Sequence, residues 1–339
     1  MSTVPPPQDT LGRPLRDLRL SVTDRCNFRC RYCMPKEVFG RGYDFLPKTD
    51  ILTFEELARI ARVFVGLGVE KVRLTGGEPL LRRDLERLVA QIASIGELRD
   101  MALTTNGVLL PQKARLLHDA GLRRLTVSLD ALDDATFRAM NDVDYPVSGV
   151  LAGIDAALAA GFSPIKINMV VKRGMNEAEI APMARRFAGP EFVLRFIEYM
   201  DVGNSNGWRM DDVVPAAEIV ERVGAEIALT ALPPNYPGET AVRYRTALGG
   251  EVGVIASVTQ PFCRGCTRAR VTADGRLHTC LFSATSGLDL RTPLRAGVDD
   301  AGLSEIVAGV WRARTDRYSE IRTSATAGRA KAEMSLLGG

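Results

Sequence analysis

Leu18-Arg19-Leu20-Ser21-Val22-Thr23-Asp24-Arg25-Cys26-Asn27-Phe28-Arg29-Cys30-Arg31-Tyr32-Cys33 decides how this chain is read. Leu18–Val22 alternates as a short strand, and three cysteines follow at C-x3-C-x2-C spacing on the loop that leaves it. Loops at the C-terminal ends of strands are where α/β folds carry active sites. Three thiolates on one short loop can take three corners of a cubane cluster. A fully ligated cluster takes four cysteines, so three leave one iron open to a small molecule. A structural zinc loop and unrelated buried thiols are the competing readings. Zinc sites use four ligands in C-x2–4-C pairs, and this loop lacks the fourth. Arg25, Arg29 and Arg31 interleave the cysteines, and nearby cations favour thiolate over thiol.

Outward from this loop the chain alternates short apolar strands with amphipathic helices. Further strands are expected near Lys71–Thr75, Met101–Thr105, Leu125–Leu129, Ile165–Val171 and Phe192–Ile197. One helix is expected over Phe54–Leu67, opened by the capping-box pattern Thr53-Phe54-Glu55-Glu56. Another is expected from Asn176-Glu177-Ala178-Glu179 by the same logic. Six βα units in a row predict parallel strands with right-handed crossovers, two short of a closed eight-stranded barrel. The expected fold is α/β, a partial (βα)6 TIM-like barrel with a C-terminal β-hairpin and helix extension. A doubly wound sheet is the alternative.

After about residue 230 the pattern changes. Arg243-Tyr244-Arg245, Gly249-Gly250 and Val252–Val258 read as one β-hairpin. Ala269–Thr272, Asp274-Gly275 and Arg276–Leu281 read as a second, and a late helix covers about Ser304–Ala313. The expected organisation is a flexible leader over 1–11, the barrel over 12–230, a cluster-binding region over 231–325 and a tail over 326–339 ending Gly-Gly.

A second cysteine triplet lies in the later region, Cys263-Arg264-Gly265-Cys266 and then Cys280. Cys280 is expected on the second strand of its hairpin, folded back toward the first pair. His278 is the candidate fourth ligand of a zinc site. Two residues along a strand separate side chains by about 7 Å, so a shared metal is disfavoured. Three cysteines again imply a cluster with an open iron.

The chain of 339 residues is 46% hydrophobic and 25% charged, with a net charge of +3. That field is too weak to recruit nucleic acid by itself. The start lacks the basic and apolar segments of a secretory signal, and no apolar run is long enough to span a bilayer. A soluble cytoplasmic protein is expected, with neither membrane nor nucleic acid as a partner. In that reducing compartment six cysteines point to metal or redox chemistry.

The cysteine loop resembles the radical SAM superfamily, and Tyr32 matches its common aromatic position. Thr75-Gly76-Gly77-Glu78-Pro79 resembles its Gly-Gly-Glu motif. With both triplets, the chain from about Leu11 to Gly339 is similar to the GTP 3′,8-cyclase family. The matching segments are Arg16–Cys26, Arg73–Leu80, Leu103–Gly107, Val127–Asp130, Arg195–Gly203, Cys266–Arg270 and the Gly-Gly end.

That resemblance implies conversion of GTP to (8S)-3′,8-cyclo-7,8-dihydroguanosine 5′-triphosphate, an early step of molybdenum cofactor biosynthesis. It implies two [4Fe–4S] clusters and S-adenosylmethionine (SAM), cleaved to a radical that takes the ribose 3′ hydrogen. Cys26, Cys30 and Cys33 would hold the SAM-binding cluster. Cys263, Cys266 and Cys280 would hold a second cluster that binds substrate. SAM contacts would be Tyr32, Gly77, Ser128 and Met200. GTP contacts would be Arg19, Arg73, Thr104, Lys166, Arg268, Ala269 and Arg270. The chain has no G-x4-G-K-[ST] loop, so single basic side chains must hold the triphosphate. No acid–base pair is evident, and Gly338-Gly339 would reach the active site. The implied partners are an external one-electron donor, cyclic pyranopterin monophosphate synthase downstream, and a second copy of the chain in a homodimer. The rival readings are a radical SAM enzyme acting on a peptide or another substrate, and a non-catalytic zinc or electron-transfer protein.

Overall fold

The structure is a computed structural model that describes residues 5–283, 286–323 and 329–338. Six strands alternate with helices as the sequence pattern requires. The strands are β1 (Asp17–Ser21), β2 (Lys71–Thr75), β3 (Asp100–Thr105), β4 (Arg124–Ser128), β5 (Ile165–Val171) and β6 (Phe192–Glu198). The first helices are α1 (Phe54–Gly66), α2 (Leu85–Ala93), α3 (Leu110–Asp119), α4 (Asp134–Asn141), α5 (Val147–Ala159), α6 (Ile180–Phe187) and α7 (Ala216–Gly224). The later strands are β7 (Leu229–Leu232), β8 (Val242–Thr246), β9 (Glu251–Ile255), β10 (Arg268–Val271), β11 (Arg276–His278) and β12 (Leu288–Asp289). Helices α8 (Arg291–Arg295) and α9 (Asp300–Arg312) follow them.

All twelve strands form one sheet in the order β12-β11-β10-β1-β2-β3-β4-β5-β6-β9-β8-β7. The central six run parallel in sequence order, without the reversal that defines a doubly wound sheet. The hydrogen-bonded sheet does not close on itself. Both predicted hairpins form, and each extends one edge: β10 pairs parallel with β1, and β9 pairs parallel with β6. The later region therefore shares the barrel's sheet.

One alternation explains both the core and the site. Leu18, Leu20, Val72, Leu74, Leu103, Leu125, Val127, Ile167, Leu194 and Phe196 are buried in one continuous core with α1–α3, α5 and α6. Between them stand Arg19, Arg73, Thr104, Thr126, Lys166, Asn168 and Arg195, on the other face of the same strands. In a filled eight-stranded barrel this inner face is apolar. Here it is polar, so the strands enclose a lumen suited to a charged ligand.

Helix α1 begins as the sequence predicts. Thr53 Oγ1 accepts from the Glu56 N–H, and the Glu56 carboxylate accepts from the Thr53 N–H. Such a cap contributes about 1 kcal/mol. Asn176 does not cap a helix. Its amide is buried and donates to the carbonyls of Asp130 and Val170, tying β4 to β5. A turn of 3-10 helix precedes α6. Residues 8–14, read from sequence as flexible leader and barrel start, hook back on themselves around a buried Asp9. None of the described helices is long and apolar enough to cross a membrane.

Candidate active site

The loop after β1 is built from its own polar groups and from close backbone packing. The Gly77 and Glu78 N–H groups donate to the Thr23 and Arg25 carbonyls, both at 2.8 Å. A Cβ on Gly76 would lie 2.5 Å from the Thr23 oxygen, and one on Gly77 would lie 2.3 Å from the Arg25 oxygen. Gly76 also has φ +149°, so both glycines are required to seat the β2 loop against the cysteine loop. Glu78 is buried and accepts from the Leu80 and Asn106 N–H groups and from Thr105 Oγ1. Burial pushes its carboxyl up to about 7 despite these bonds.

The interleaved arginines do not surround the thiols as their spacing suggests. Arg29 donates to the main-chain carbonyls of Cys26, Phe28 and Phe39. Arg31 is exposed beside Asp142, and Arg25 is exposed and lies over the Phe45 ring. Burial, aided by Glu78, pushes the Cys26 thiol up to about 12. Burial raises Cys30 and Cys33 as well, with Asp130 and neighbouring thiols adding to the effect. Tyr32 donates to Asp130 Oδ2 at 2.8 Å, and Asp130 Oδ1 accepts from the Val170 N–H at 2.9 Å. Burial raises Asp130 to about 6. Asp130 was not singled out from sequence, although it ends the matching segment Val127–Asp130. Its signal is a carboxylate directly after a buried strand.

The second triplet is assembled by the hairpin. Cys263 and Cys266 bracket a turn before β10, and all three cysteines line one cavity in the lumen. Cys280 lies two residues past the end of β11 rather than on it. The period-two relation to His278 therefore lapses. His278 is absent from the cavity lining and packs against Gly287. Burial pushes the Cys266 thiol up, but Arg268 and Arg314 outweigh it and bring the group down to about 6. Arg314 donates to Cys266 Sγ at 3.2 Å.

The same cavity holds Arg19, Arg73, Thr104, Met200, Arg268 and Arg270. Register explains why its charge is unbalanced. Arg268, Asp17, Lys71 and Asp100 lie side by side across β10-β1-β2-β3, so cations and carboxylates alternate. The next row up reads Arg270, Arg19, Arg73 and Ala102, with no carboxylate. Burial, then Arg270, Arg73 and Arg268, lower the pKa of Arg19. Arg73 donates to Thr104 Oγ1 at 2.8 Å and Thr126 Oγ1 at 3.0 Å. Lys166 pairs in register with Thr126 and lies among Arg195, Arg124, Lys71 and Arg73, outside the lining of this cavity. Burial first, then those cations, push it down to about 5.

The remaining expected contacts divide by position. Ser128 ends β4 on the same strand face as Thr126. Met200 follows β6 and lines the cavity. Ala269 is fully buried in the core with its methyl turned away from Arg268 and Arg270, so only its main chain could serve a ligand. Gly338 reaches the lumen. Arg270 donates to the Leu337 carbonyl at 3.2 Å and to the Gly338 carbonyl, and Gly338 packs on Thr75. Gly339 lies outside the described residues.

The segment after β6 fixes this end of the lumen. Glu198 is fully buried and accepts from the N–H groups of Ala216, Val258 and Thr259. Asp201 accepts from Tyr318, Arg322 and Lys331, anchoring the C-terminal tail. Sequence reasoning also gave no role to Arg195 and Asn168. Both line the cavity, and Arg195 Nε and Asn168 Oδ1 are buried without a partner. The readable signal was a charged residue between Leu194 and Phe196 in an apolar strand.

Residues 20–187 match the Radical SAM superfamily, and residues 192–320 match Molybdenum Cofactor Synthesis C. The GTP 3′,8-cyclase of Acidothermus cellulolyticus is 58% identical, covering 94% of this chain and 89% of its own. That of Staphylococcus saprophyticus is 48% identical over 98% of both chains. Among solved structures, Streptococcus suis SuiB bound to S-adenosylmethionine superposes with a TM-score of 0.61. It covers 93% of this chain and 72% of its own at 15% identity, a likeness of fold.

Proposed function

This chain belongs to the GTP 3′,8-cyclase family of the radical SAM superfamily, and on that premise we propose which of its residues carry the reaction. The protein is a radical SAM enzyme that converts GTP to (8S)-3′,8-cyclo-7,8-dihydroguanosine 5′-triphosphate in molybdenum cofactor biosynthesis, using SAM and iron–sulfur clusters.

Both cysteine triplets suit a cluster with an open iron. All six cysteines are free of disulfides. Among the described residues no three His, Cys, Asp or Glu side chains converge as they would around a single ion. Cys26, Cys30 and Cys33 would hold the first cluster, which when bound would supply the electron for reductive cleavage of SAM. Tyr32 fixes Asp130 at this site, and the buried carboxyls of Asp130 and Glu78 suit a ligand bearing sulfonium and ammonium groups. Gly77, Ser128 and Met200 complete the SAM contacts.

Cys263, Cys266 and Cys280 hold the second cluster, on the substrate side. The observation that carries the assignment is the row Arg270, Arg19 and Arg73 beside these cysteines, uncompensated by any carboxylate in that row. A triphosphate supplies the missing negative charge, and arginine forks bind it bidentately. Thr104, Arg195, Arg268 and the main chain of Ala269 extend the same contact surface, and Lys166 would act on the triphosphate from outside the cavity lining. The chain's part in the reaction is to orient two ligands and exclude water, with the tail at Gly338 covering the lumen.

The proposal includes an external one-electron donor, cyclic pyranopterin monophosphate synthase as consumer of the product, a cytoplasmic setting and a homodimer. It keeps 12–230 as the barrel and 231–325 as the cluster-binding region. Anaerobic incubation with GTP, SAM and dithionite tests the assignment. The expected outcome is 5′-deoxyadenosine and the cyclised triphosphate formed in step, with GTP-site variants losing the cyclised triphosphate while still cleaving SAM. Turnover of SAM with GTP left intact would overturn it.

A further inference from the structure

The N-terminal hook reaches the second cysteine site through two guanidiniums. Asp9 Oδ1 accepts from the N–H groups of Leu11 and Arg13, both at 2.9 Å, which closes the hook locally. Its other oxygen accepts from Arg13 Nε at 2.6 Å and Arg314 Nη1 at 3.3 Å. The Asp9 side chain is fully buried, and those of Arg13 and Arg314 are nearly so. Each guanidinium then reaches a different cysteine. Arg13 Nη1 donates to the Cys263 carbonyl at 2.8 Å. Arg314 donates to the Cys266 carbonyl at 2.7 Å and to Cys266 Sγ at 3.2 Å. Asp316, whose carbonyl also accepts from Arg13, takes the hydroxyl of Thr279 beside Cys280.

One carboxylate thus holds two cations that hold two cysteine residues. Without Asp9, the two buried guanidiniums would share no counter-charge, Arg314 keeping only Asp316 Oδ2 at 3.5 Å, and their aim at Cys263 and Cys266 would loosen. N–H donors to ligating sulfur and partners that orient ligands set a cluster's affinity and potential.

We propose that residues 8–14 are a built part of the second cysteine site, with Asp9, Arg13 and Arg314 as its positioning residues. Asp9 sets the two guanidiniums, these fix the backbone that presents Cys263 and Cys266, and Arg314 supplies an N–H to the sulfur. The inference rests on the reading that Cys263, Cys266 and Cys280 hold a cluster.

The test uses the full chain, reconstituted anaerobically with iron and sulfide, as Asp9→Asn, Asp9→Glu, Arg314→Lys and Cys266→Ala. Iron loss to a chelator, the electron paramagnetic spectrum of the reduced protein and SAM cleavage without GTP are measured. Asp9→Asn should lose about half of its iron some 10–100-fold faster than the parent chain, while the first cluster still cleaves SAM. Asp9→Glu should restore retention. Arg314→Lys should alter the spectrum and lower the potential of the second cluster only, which general loosening of the fold would not do. Unchanged iron loss in Asp9→Asn together with an unchanged spectrum in Arg314→Lys overturns the inference, and so does parallel loss of both clusters. If Cys266→Ala keeps both sets of iron, the reading of the second triplet itself fails. If Cys266→Ala loses one set and the Asp9 and Arg314 variants behave as the parent, the positioning role alone fails.

Discussion

Cys26, Cys30 and Cys33 on one loop and Cys266 on the other offer the same donor in opposite electrostatic settings. Around Cys26, Cys30 and Cys33 the charged neighbours that matter are carboxyls, Glu78 and Asp130, and burial leaves the thiols raised. Around Cys266 they are guanidiniums, Arg268 and Arg314, and the thiol drops to about 6, whereas burial and Asp316 push Cys280 up to about 12. The ligands proposed for the two sites differ in the same sense. SAM carries a sulfonium and an ammonium against one carboxylate, while GTP carries a triphosphate. The difference teaches that chemically identical thiols are told apart by the charges behind them. Val170 joins the two regions: it packs on the small cluster with Tyr32, Cys30 and Cys33 and also lines the arginine cavity.

The sharpest way to break this comparison is to remove one triplet at a time. Cys30→Ala should abolish 5′-deoxyadenosine formation under dithionite. Cys280→Ala should leave that cleavage in place and abolish GTP consumption, read by chromatography of both products. If the two variants fail alike, the sites are not separate in function.

Next in size are the arginines. Arg268→Ala and Arg270→Ala should each weaken GTP binding by about 10–100-fold, since a charge-assisted hydrogen bond contributes about 1.5–3 kcal/mol. SAM affinity should change little. Arg270→Ala should show the larger effect, because Arg270 also holds the Leu337 and Gly338 carbonyls. Equilibrium binding of the two ligands distinguishes these outcomes.

Tyr32→Phe acts on the other side. It removes the bond to Asp130 and should raise the KM for SAM roughly fivefold, about 1 kcal/mol, with GTP affinity kept. A change in GTP affinity of equal size would dissolve the distinction between the sites.

The smallest effect is a proton. The folded value of Lys166, about 5, lies below its ordinary value of 10.5. Unfolding therefore takes up a proton between those limits, and stability rises with pH across them. This contribution is complete above 10.5 and lost as pH falls through about 5. A bound triphosphate raises the folded value, so GTP binding at pH 7 should take up protons. Calorimetry in buffers of different ionisation enthalpy measures this, and Lys166→Met should reduce the uptake. Uptake undiminished in that variant would move the titrating group to Lys71, which burial and Arg73 push down to about 8.

Sequence alone determined the strand–helix units and the two cysteine groupings. Strand positions from Lys71–Thr75 to Ile165–Val171 were legible because apolar residues alternate with polar ones, and local pattern is what sets a strand's two faces. Both cysteine triplets were legible because ligand spacing is a local property. The hairpins were legible from Gly249-Gly250 and Asp274-Gly275 for the same reason. What only the tertiary structure decided is pairing between distant segments. No local rule tells that β10 joins β1 while β9 joins β6, yet that choice sets Arg270 beside Arg19 and Arg73. The same holds for Asp130 under Tyr32, for Arg314 on Cys266 and for Asp9 between Arg13 and Arg314. Electrostatic character depends on distances through space, and these form only when the sheet sets β10 beside β1 and the segments around Asp9 and Gly338 pack against it.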